Sequence, residues 1–133
     1  MLRRFLRTVN QMKADKGSLD IYNIPLKKVH VGDIDVAYKI FGKGNNTIIL
    51  INGGGENMNF WDPHFLKELS TNNSVIVFDS RGIGNTTLGN KPFTISQFAN
   101  DTAGLLNQGS EICRCPALIM IKDNFRIINV IHK

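Results

Sequence analysis

The chain has 133 residues, of which 42% are hydrophobic and 20% charged, so it is long enough for one domain with a core of its own. No segment approaches the roughly 18 consecutive apolar residues that a membrane-spanning helix needs. The net charge of +5 is unevenly placed, because residues 1–28 carry seven basic and two acidic groups whereas residues 29–133 carry nine of each. A nucleic-acid-binding fold usually spreads basic residues over one face of the domain, so this distribution argues against a nucleic-acid partner.

We interpret residues 1–28 as a basic N-terminal appendage and residues 29–133 as the domain. Within the appendage, apolar residues recur at helical spacing between arginines: Leu2, Phe5, Leu6, Val9 and Met12. The favoured interpretation is a short helix that packs its apolar stripe on the domain, or a segment that simply frays. The alternatives are a membrane-surface helix over residues 1–16 and an arginine-rich targeting peptide. The segment is nearly free of serine, unlike transit peptides, and it lacks the continuous apolar core of a secretory signal.

The domain begins with a predicted β-hairpin, in which apolar and polar residues alternate on both arms and Gly32-Asp33 forms the turn. The apolar run Thr47–Ile51 then predicts a strand that is covered on both faces. The next segment predicts a helix, because its apolar residues recur at helical spacing: Phe60, Trp61, Phe65, Leu66 and Leu69.

A second apolar run, Val75–Phe78, predicts another buried strand, and a polar, glycine-rich loop follows it. Thr94 opens a second helix, with Gln97 three residues later in a capping-box pattern. The buried face of this helix is predicted to hold Ile95, Phe98, Ala99, Thr102, Leu105 and Leu106. Two further apolar runs, PALIMI and IINVI, predict strands near the end of the sequence.

Cys113 and Cys115 are the only two cysteines and stand one residue apart. This spacing is neither a disulfide framework nor the two-residue spacing of a redox or zinc motif. It favours two reduced thiols in a cytoplasmic protein.

Strands that alternate with helices at this spacing predict βαβ units. The predicted fold class is therefore α/β, with parallel βαβα units and a sheet made mixed by the antiparallel hairpin at one edge. Ligands of such sheets bind at the carboxyl ends of the strands. Two glycine-rich stretches, Gly53–Gly55 and Gly82–Gly84, follow strands and are predicted to lie at that edge.

Three roles are compatible with the backbone of Gly53–Gly55, which carries no side chains. Phosphate binding is weakly supported. GGGENM and GIGNTT both lack the third glycine of the dinucleotide fingerprint, and the sequence has no G-K-[ST], with which a P-loop motif ends. Glycines directly after a strand also let backbone N–H groups point at the developing negative charge of acyl transfer. The third interpretation is a simple turn from strand to helix. We predict no cofactor and no metal site.

Residues 29–107 resemble the N-terminal half of the α/β-hydrolase fold superfamily. The resemblance rests on the order of the segments: an antiparallel hairpin, a strand ending in INGGG, a helix with Trp61, a strand ending in FDSRGIGNTT, and a helix beginning FTISQFANDTAGLL. The loop after the family's third strand usually reads His-Gly-x-x, and Asn52 stands here in place of the histidine. The stretch from Asp79 matches the family's D-x-R-G-x-G-x-S/T loop.

The resemblance implies an oxyanion hole and loop-shaping residues. Gly54 matches the position whose N–H forms half of the oxyanion hole, and Gly53 is the second candidate. The residues that the resemblance implies shape the loops, rather than catalyse, are Asn52, Gly55, Asp79, Arg81, Gly82 and Gly84. The family hydrolyses ester, amide or related bonds, which implies a small-molecule substrate for full-length relatives and no cofactor.

The family's nucleophile elbow, G-x-S-x-G after a strand, has no counterpart in the sequence. Ser110 follows a glycine, but no apolar strand precedes it and position 112 is not glycine. His30 lies in the hairpin, His64 in the first predicted helix and His132 beside the end of the sequence. No complete nucleophile, base and acid can be assigned.

CPALIMIKD resembles the family's late strand that leads to the acid, with Asp123 near the acid's place. This implies an internal deletion, a gene fragment or a misjoined frame; the alternative is that the tail beyond residue 109 is unrelated. Two hypotheses follow: a hydrolase-family protein that holds the oxyanion half of the site, and a non-catalytic remnant or interaction module. The resemblance implies that the strand Val75–Phe78 pairs between the hairpin and Thr47–Ile51, which leaves the far edge of Thr47–Ile51 open. We expect Ala117–Ile121 to pair there in parallel with Thr47–Ile51, in the place of the nucleophile strand, because an open apolar edge is an aggregation hazard.

Overall fold

The computed structural model describes residues 19–53, 55–108, 112, 117–121 and 127–130. These residues form six strands, two α-helices and two short 3-10 helices. The strands are β1 (Lys27–Val31), β2 (Ile34–Gly42), β3 (Asn46–Ile51), β4 (Asn73–Phe78), β5 (Ala117–Ile121) and β6 (Ile127–Val130). The helices are α1 (Pro63–Ser70) and α2 (Ile95–Leu106), with 3-10 turns at Ile21–Asn23 and Met58–Phe60.

The strands form one mixed sheet in the order β1-β2-β4-β3-β5-β6. β1, β2 and β4 are antiparallel neighbours, whereas β4, β3 and β5 run parallel. The predicted hairpin is therefore confirmed, and so is the α/β class with a mixed sheet. β4 lies between the hairpin and β3, as the resemblance implies.

β5 pairs in parallel with β3, with Thr47 opposite Ala117 and Ile51 opposite Ile121. This confirms the pairing predicted from the open edge of β3. The run IINVI also forms a strand, because β6 pairs with β5 in antiparallel orientation. Asp123, proposed above as a relic of the family's acid, lies outside the described residues.

Apolar side chains cover both faces of the central strands. On one face Ile49, Ile76 and Phe78 pack with Leu105 and Leu106 of α2. On the other face the core is built from β3, β4, α1 and the segment before it: Ile48, Leu50, Val75, Val77, Leu66, Met58 and Trp61. The burial of alternate residues on opposite faces explains why β3 and β4 are continuous apolar runs rather than alternating ones.

The first predicted helix is shorter than expected. A single apolar stripe was predicted from Phe60 to Leu69, but a 3-10 turn ends at Phe60 and α1 begins only at Pro63. Asp62 is the N-cap, accepting the N–H of His64, and proline at the first helical position fixes the start. Phe60 is consequently 61% exposed.

The second helix has the predicted bounds but not the predicted buried face. Thr94 caps it by accepting the N–H of Gln97 at 3.0 Å. Ile95 is 87% exposed and Ala99 is exposed as well, whereas Asp101, absent from the predicted face, is buried. The helix approaches β1 near its C-terminal end, where a Cβ on Gly104 would clash with Val31, so its first turn is left outside the core.

The N-terminal appendage falls mostly outside the described residues. The described part begins at Leu19, and Ile21 is buried against the α1 side of the sheet. The division of the chain at residue 28 stays a prediction. Within the described ranges, no helix has the length and apolar character needed to cross a membrane.

Candidate functional site

The two glycine-rich loops lie side by side at one edge of the sheet. β3 and β4 are parallel neighbours that end at Ile51 and Phe78, and the loops follow directly. Gly53 and Gly55 therefore lie in the loop after β3, beside the loop that holds Gly82 and Gly84. This is the edge at which open α/β sheets bind their ligands.

The loop after β3 closes in a tight turn. The Glu56 N–H donates to the Gly53 carbonyl oxygen at 3.2 Å, which makes Gly55 the third residue of a four-residue turn. Gly55 has φ of +79°, a backbone conformation that L side chains rarely adopt. Gly54, the first oxyanion-hole candidate, lies outside the described residues.

The side chain of Asn52 spans this turn. Its Nδ2 donates to the Asn57 carbonyl oxygen at 2.5 Å, and its Oδ1 accepts from the indole Nε1–H of Trp61. Asn57 in turn accepts the N–H of Asn59 and caps the short 3-10 helix. Asn52 thus contacts both the backbone and a buried aromatic ring beyond the turn.

Asp79 joins the two loops. Its Oδ1 accepts the N–H of Met58 at 2.8 Å, and its Oδ2 accepts the N–H of Asn85 at 3.0 Å. Its backbone oxygen accepts the hydroxyl of Thr86, which itself accepts the N–H of Ala37 in β2. A carboxylate that is 2% exposed therefore has its bonds divided between the loops after β3 and β4.

Arg81 lies between two carboxylates and is itself only 1% exposed. Its Nε and Nη2 donate to Asp101 of α2 at 2.9 and 2.8 Å. Its Nη1 and Nη2 donate to Asp33 of the hairpin turn at 2.7 and 2.6 Å, and Nη1 also reaches the Leu88 carbonyl. One guanidinium therefore ties the β1–β2 turn, the loop after β4 and α2 together with bidentate, charge-assisted bonds.

The Arg81 guanidinium lowers the pKa of the Asp33 carboxyl well below its usual range, and the backbone N–H groups of Asn90 and Lys91 act in the same direction. In turn, the two carboxylates raise the pKa of Arg81. A carboxyl whose pKa is lower in the folded chain than in the unfolded chain stabilises the fold above its unfolded pKa of about 4. That stabilisation is lost as the pH falls from there toward the folded pKa.

We therefore expect Asp33 to contribute to acid unfolding. At pH 7 Asp33→Asn should unfold at a lower urea concentration than the natural chain, and the difference should shrink steadily between pH 5 and pH 2. Urea midpoints measured by circular dichroism at several pH values test this. The exposed Asp35→Asn variant is the control, and a wild-type advantage that is as large at pH 2.5 as at pH 7 would contradict the assignment.

The remaining residues singled out in the sequence are scattered. Gly82 and Gly84 have φ of +72° and +53° in the loop after β4. The exposed His30 contacts Asp35 across the hairpin, with 2.8 Å between Nδ1 and Oδ1. His64 is at the start of α1, and its buried Nδ1 has no hydrogen-bond partner among the described residues. Ser110 and His132 lie outside the described residues.

Two residues of this site were missed by the sequence analysis. Asp33 was assigned only to the hairpin turn, and Asp101 was left off the buried face of α2. A buried arginine needs carboxylate partners, so a buried assignment for Arg81 would have directed attention to the acids of neighbouring elements. Nothing in the spacing of Asp33, Arg81 and Asp101 along the sequence identifies them as that set.

Comparison with known proteins gives one sequence relative and many similar structures. No protein-family model matches the chain. Over 78 residues it is 35% identical to the protein named "Putative carbamate hydrolase RutD" from Azorhizobium caulinodans, a match that covers 59% of this chain and 29% of that protein.

Among solved structures, an alpha/beta hydrolase fold protein from Chitinophaga pinensis matches with a TM-score of 0.64 and 19% identity, over 74% of this chain and 35% of that one. Alpha/beta hydrolase domain-containing protein 10 from mouse matches with a TM-score of 0.61 and 25% identity, over 73% and 39%. The described residues therefore have the fold of the α/β-hydrolase superfamily, over part of its length. The chain spans between 29% and 39% of the length of these relatives.

Proposed function

We propose that the chain holds the oxyanion-binding half of an α/β-hydrolase site, in a protein whose reaction class is hydrolysis of an ester, amide or related acyl bond. The observation that carries this proposal is the turn Gly53–Glu56 directly after β3, beside the loop of Asp79. Backbone N–H groups that are fixed before reaction stabilise an oxyanion without reorganisation. Gly53 and Gly54 are the proposed donors.

The other loop residues have a supporting role in this proposal. Asp79 holds the loop after β3 to the loop after β4, and Arg81 holds the second of these loops to α2 and to the hairpin. Gly82 and Gly84 allow the loop after β4 to turn with positive φ. None of these groups is proposed as a nucleophile or a base.

The substrate class is proposed from the sequence relative. A protein named as a carbamate hydrolase points to a small molecule with a carbamate, amide or ester carbonyl. Such a carbonyl becomes negatively charged at oxygen when it is attacked, and this charge is what the glycine turn would stabilise. We propose a cytoplasmic location on the strength of the two closely spaced cysteines.

A second candidate is a non-catalytic module with the same half-fold, and one feature of the sequence favours it. The 133 residues contain no G-x-S-x-G motif, and the strand that pairs with β3 on the side away from β4 is Ala117–Ile121 rather than a strand leading to a nucleophile. Fold alone does not fix function, so the two candidates must be separated by experiment.

We expect no saturable hydrolysis of a p-nitrophenyl ester by this chain above the rate of a matched control. Without a nucleophile and base, backbone oxyanion donors leave at most a small residual effect. The control is the Ser110→Ala variant, because Ser110 is the serine that we compared with the G-x-S-x-G motif: it follows a glycine, although the rest of the motif is missing. Saturable turnover that is abolished in Ser110→Ala would contradict the assignment of an oxyanion half alone and establish a complete hydrolase.

A further inference from the structure

The amide side chain of Asn52 attaches the turn after β3 to a buried aromatic anchor. Asn52 is the last residue before the turn, and both of its partners, Asn57 and Trp61, come after it. Trp61 is 5% exposed and stacks on Phe65 with 5.8 Å between ring centroids. Because this packing fixes the indole ring, the hydrogen bond from the ring to the Asn52 side chain also holds the backbone at the start of the turn in place.

An amide can make both of these bonds at every pH. Asn52 donates through Nδ2 while it accepts through Oδ1, and neither atom titrates in the physiological range. A carboxylate at this position could accept from Trp61 but could not donate to Asn57. A protonated imidazole could donate but could not accept, so it would lose the bond from the indole.

We propose that Asn52 is the positioning residue of the glycine turn, and that its non-titrating amide makes the position of the turn independent of pH between about 5 and 8. The importance of the turn rests on the proposed function, but the geometry of Asn52 does not. Saturable ester hydrolysis that is lost in Ser110→Ala would contradict the proposed function but would leave this inference standing. If the measurements below contradict the inference, the proposed function would stand, but Asn52 would no longer explain how the turn is held in position.

Other charged groups lie on the elements around Trp61. Any effect of their titration on the indole resonance must be distinguished from an effect of Asn52. They are Lys39 of β2, Glu56 and Asp62 of the loop, His64, Lys67 and Glu68 of α1, and Asp79 after β4. Of these side-chain types only histidine ordinarily titrates between pH 5 and 8. His64→Gln is therefore the background in which the pH profiles are measured.

Trp61 is the only tryptophan in the chain, so its indole N–H gives one assignable proton resonance that reports on the bond to Asn52. In the His64→Gln background this resonance should stay constant from pH 5 to 8. Asn52→Leu should shift it at every pH and speed its exchange with solvent about tenfold, as expected for loss of one hydrogen bond. The backbone amide resonances of Gly53, Gly55 and Glu56 should shift with it.

Two further variants separate positioning from general loss of stability. Asn52→His should match the parent at pH 8 and resemble Asn52→Leu at pH 5, because protonation removes its acceptor. Asn52→Asp should keep the slow solvent exchange of the indole N–H while the turn amides shift, because it accepts but does not donate. An indole resonance that titrates in the parent, or that is unchanged in Asn52→Leu, would overturn the proposal.

Discussion

Replacing Arg81 with leucine should lower the free energy of unfolding by about 3–5 kcal/mol, the range observed when one partner of a buried ion pair is removed. Asp101 is 6% exposed and would be left without its bidentate partner. Asp33 would lose two bonds at the hairpin turn. A loss of this size is a large fraction of the roughly 5–15 kcal/mol that stabilises a typical domain.

Urea unfolding followed by circular dichroism measures this effect, with Lys28→Leu as the matched control. Lys28 is an exposed cation on β1, and its replacement should change stability by no more than about 0.5 kcal/mol. Arg81→Lys should recover only part of the loss, because one ammonium group cannot reproduce the fork of the guanidinium. If Arg81→Leu were as stable as Lys28→Leu, the network would have no structural role.

The double variant Arg81→Leu with Asp101→Leu tests the physical reason for the loss. If the cost arises from an unpaired buried carboxylate, removing that carboxylate should restore part of the stability lost in Arg81→Leu. If the two losses simply add, the cost comes from packing instead.

Gly84→Ala should also be strongly destabilising, by about 3 kcal/mol or more, from a strained backbone and a lost bond to a charged group. Gly84 has φ of +53°, and a Cβ there would lie 2.7 Å from Cγ of Asp79. The Asp79 carboxylate would have to move away from Asn85 and Met58, the two N–H groups that it holds. We therefore expect the loop after β3 to be disturbed from a distance, with a changed Trp61 fluorescence.

Gly55→Ala is the matched control for Gly84→Ala. Its φ of +79° is equally unsuited to alanine, but among the described residues a Cβ there would meet only Cδ1 of Ile83, at 4.0 Å. Its cost should be the backbone term alone, about 1–2 kcal/mol. Equal losses in the two variants would mean that the contact with Asp79 adds nothing, which would contradict the role proposed for Asp79.

The sheet was largely predictable from the sequence because its central strands are buried on both faces. Runs such as Thr47–Ile51 and Val75–Phe78 are short, apolar and rich in β-branched residues, which favours covered strands over buried helices. Their order in space came from the resemblance to the α/β-hydrolase superfamily. The position of β5 came from the open edge of β3, since Ala117–Ile121 was the most apolar run left to cover it.

The side-chain contacts at the ends of the strands were not predictable in the same way. Periodicity extended the first helix back to Phe60, whereas the capping signal of Asp62 followed by Pro63 decided its start. The same periodicity led to a buried prediction for Ile95 and to no such prediction for Asp101. Apolar spacing contains no information about a buried arginine on another element. The bonds of Asp79 depend on two loops meeting in space, and no single stretch of sequence encodes that meeting.

We propose that this chain carries the oxyanion side of a hydrolase site without a nucleophile. Treatment with a fluorophosphonate, followed by intact mass measurement, tests it most directly, because such reagents form a covalent bond with an activated serine. A complete serine hydrolase of the same fold serves as the positive control. The account predicts no adduct on this chain under conditions that label the control fully; a single stoichiometric adduct, lost in Ser110→Ala, would contradict it.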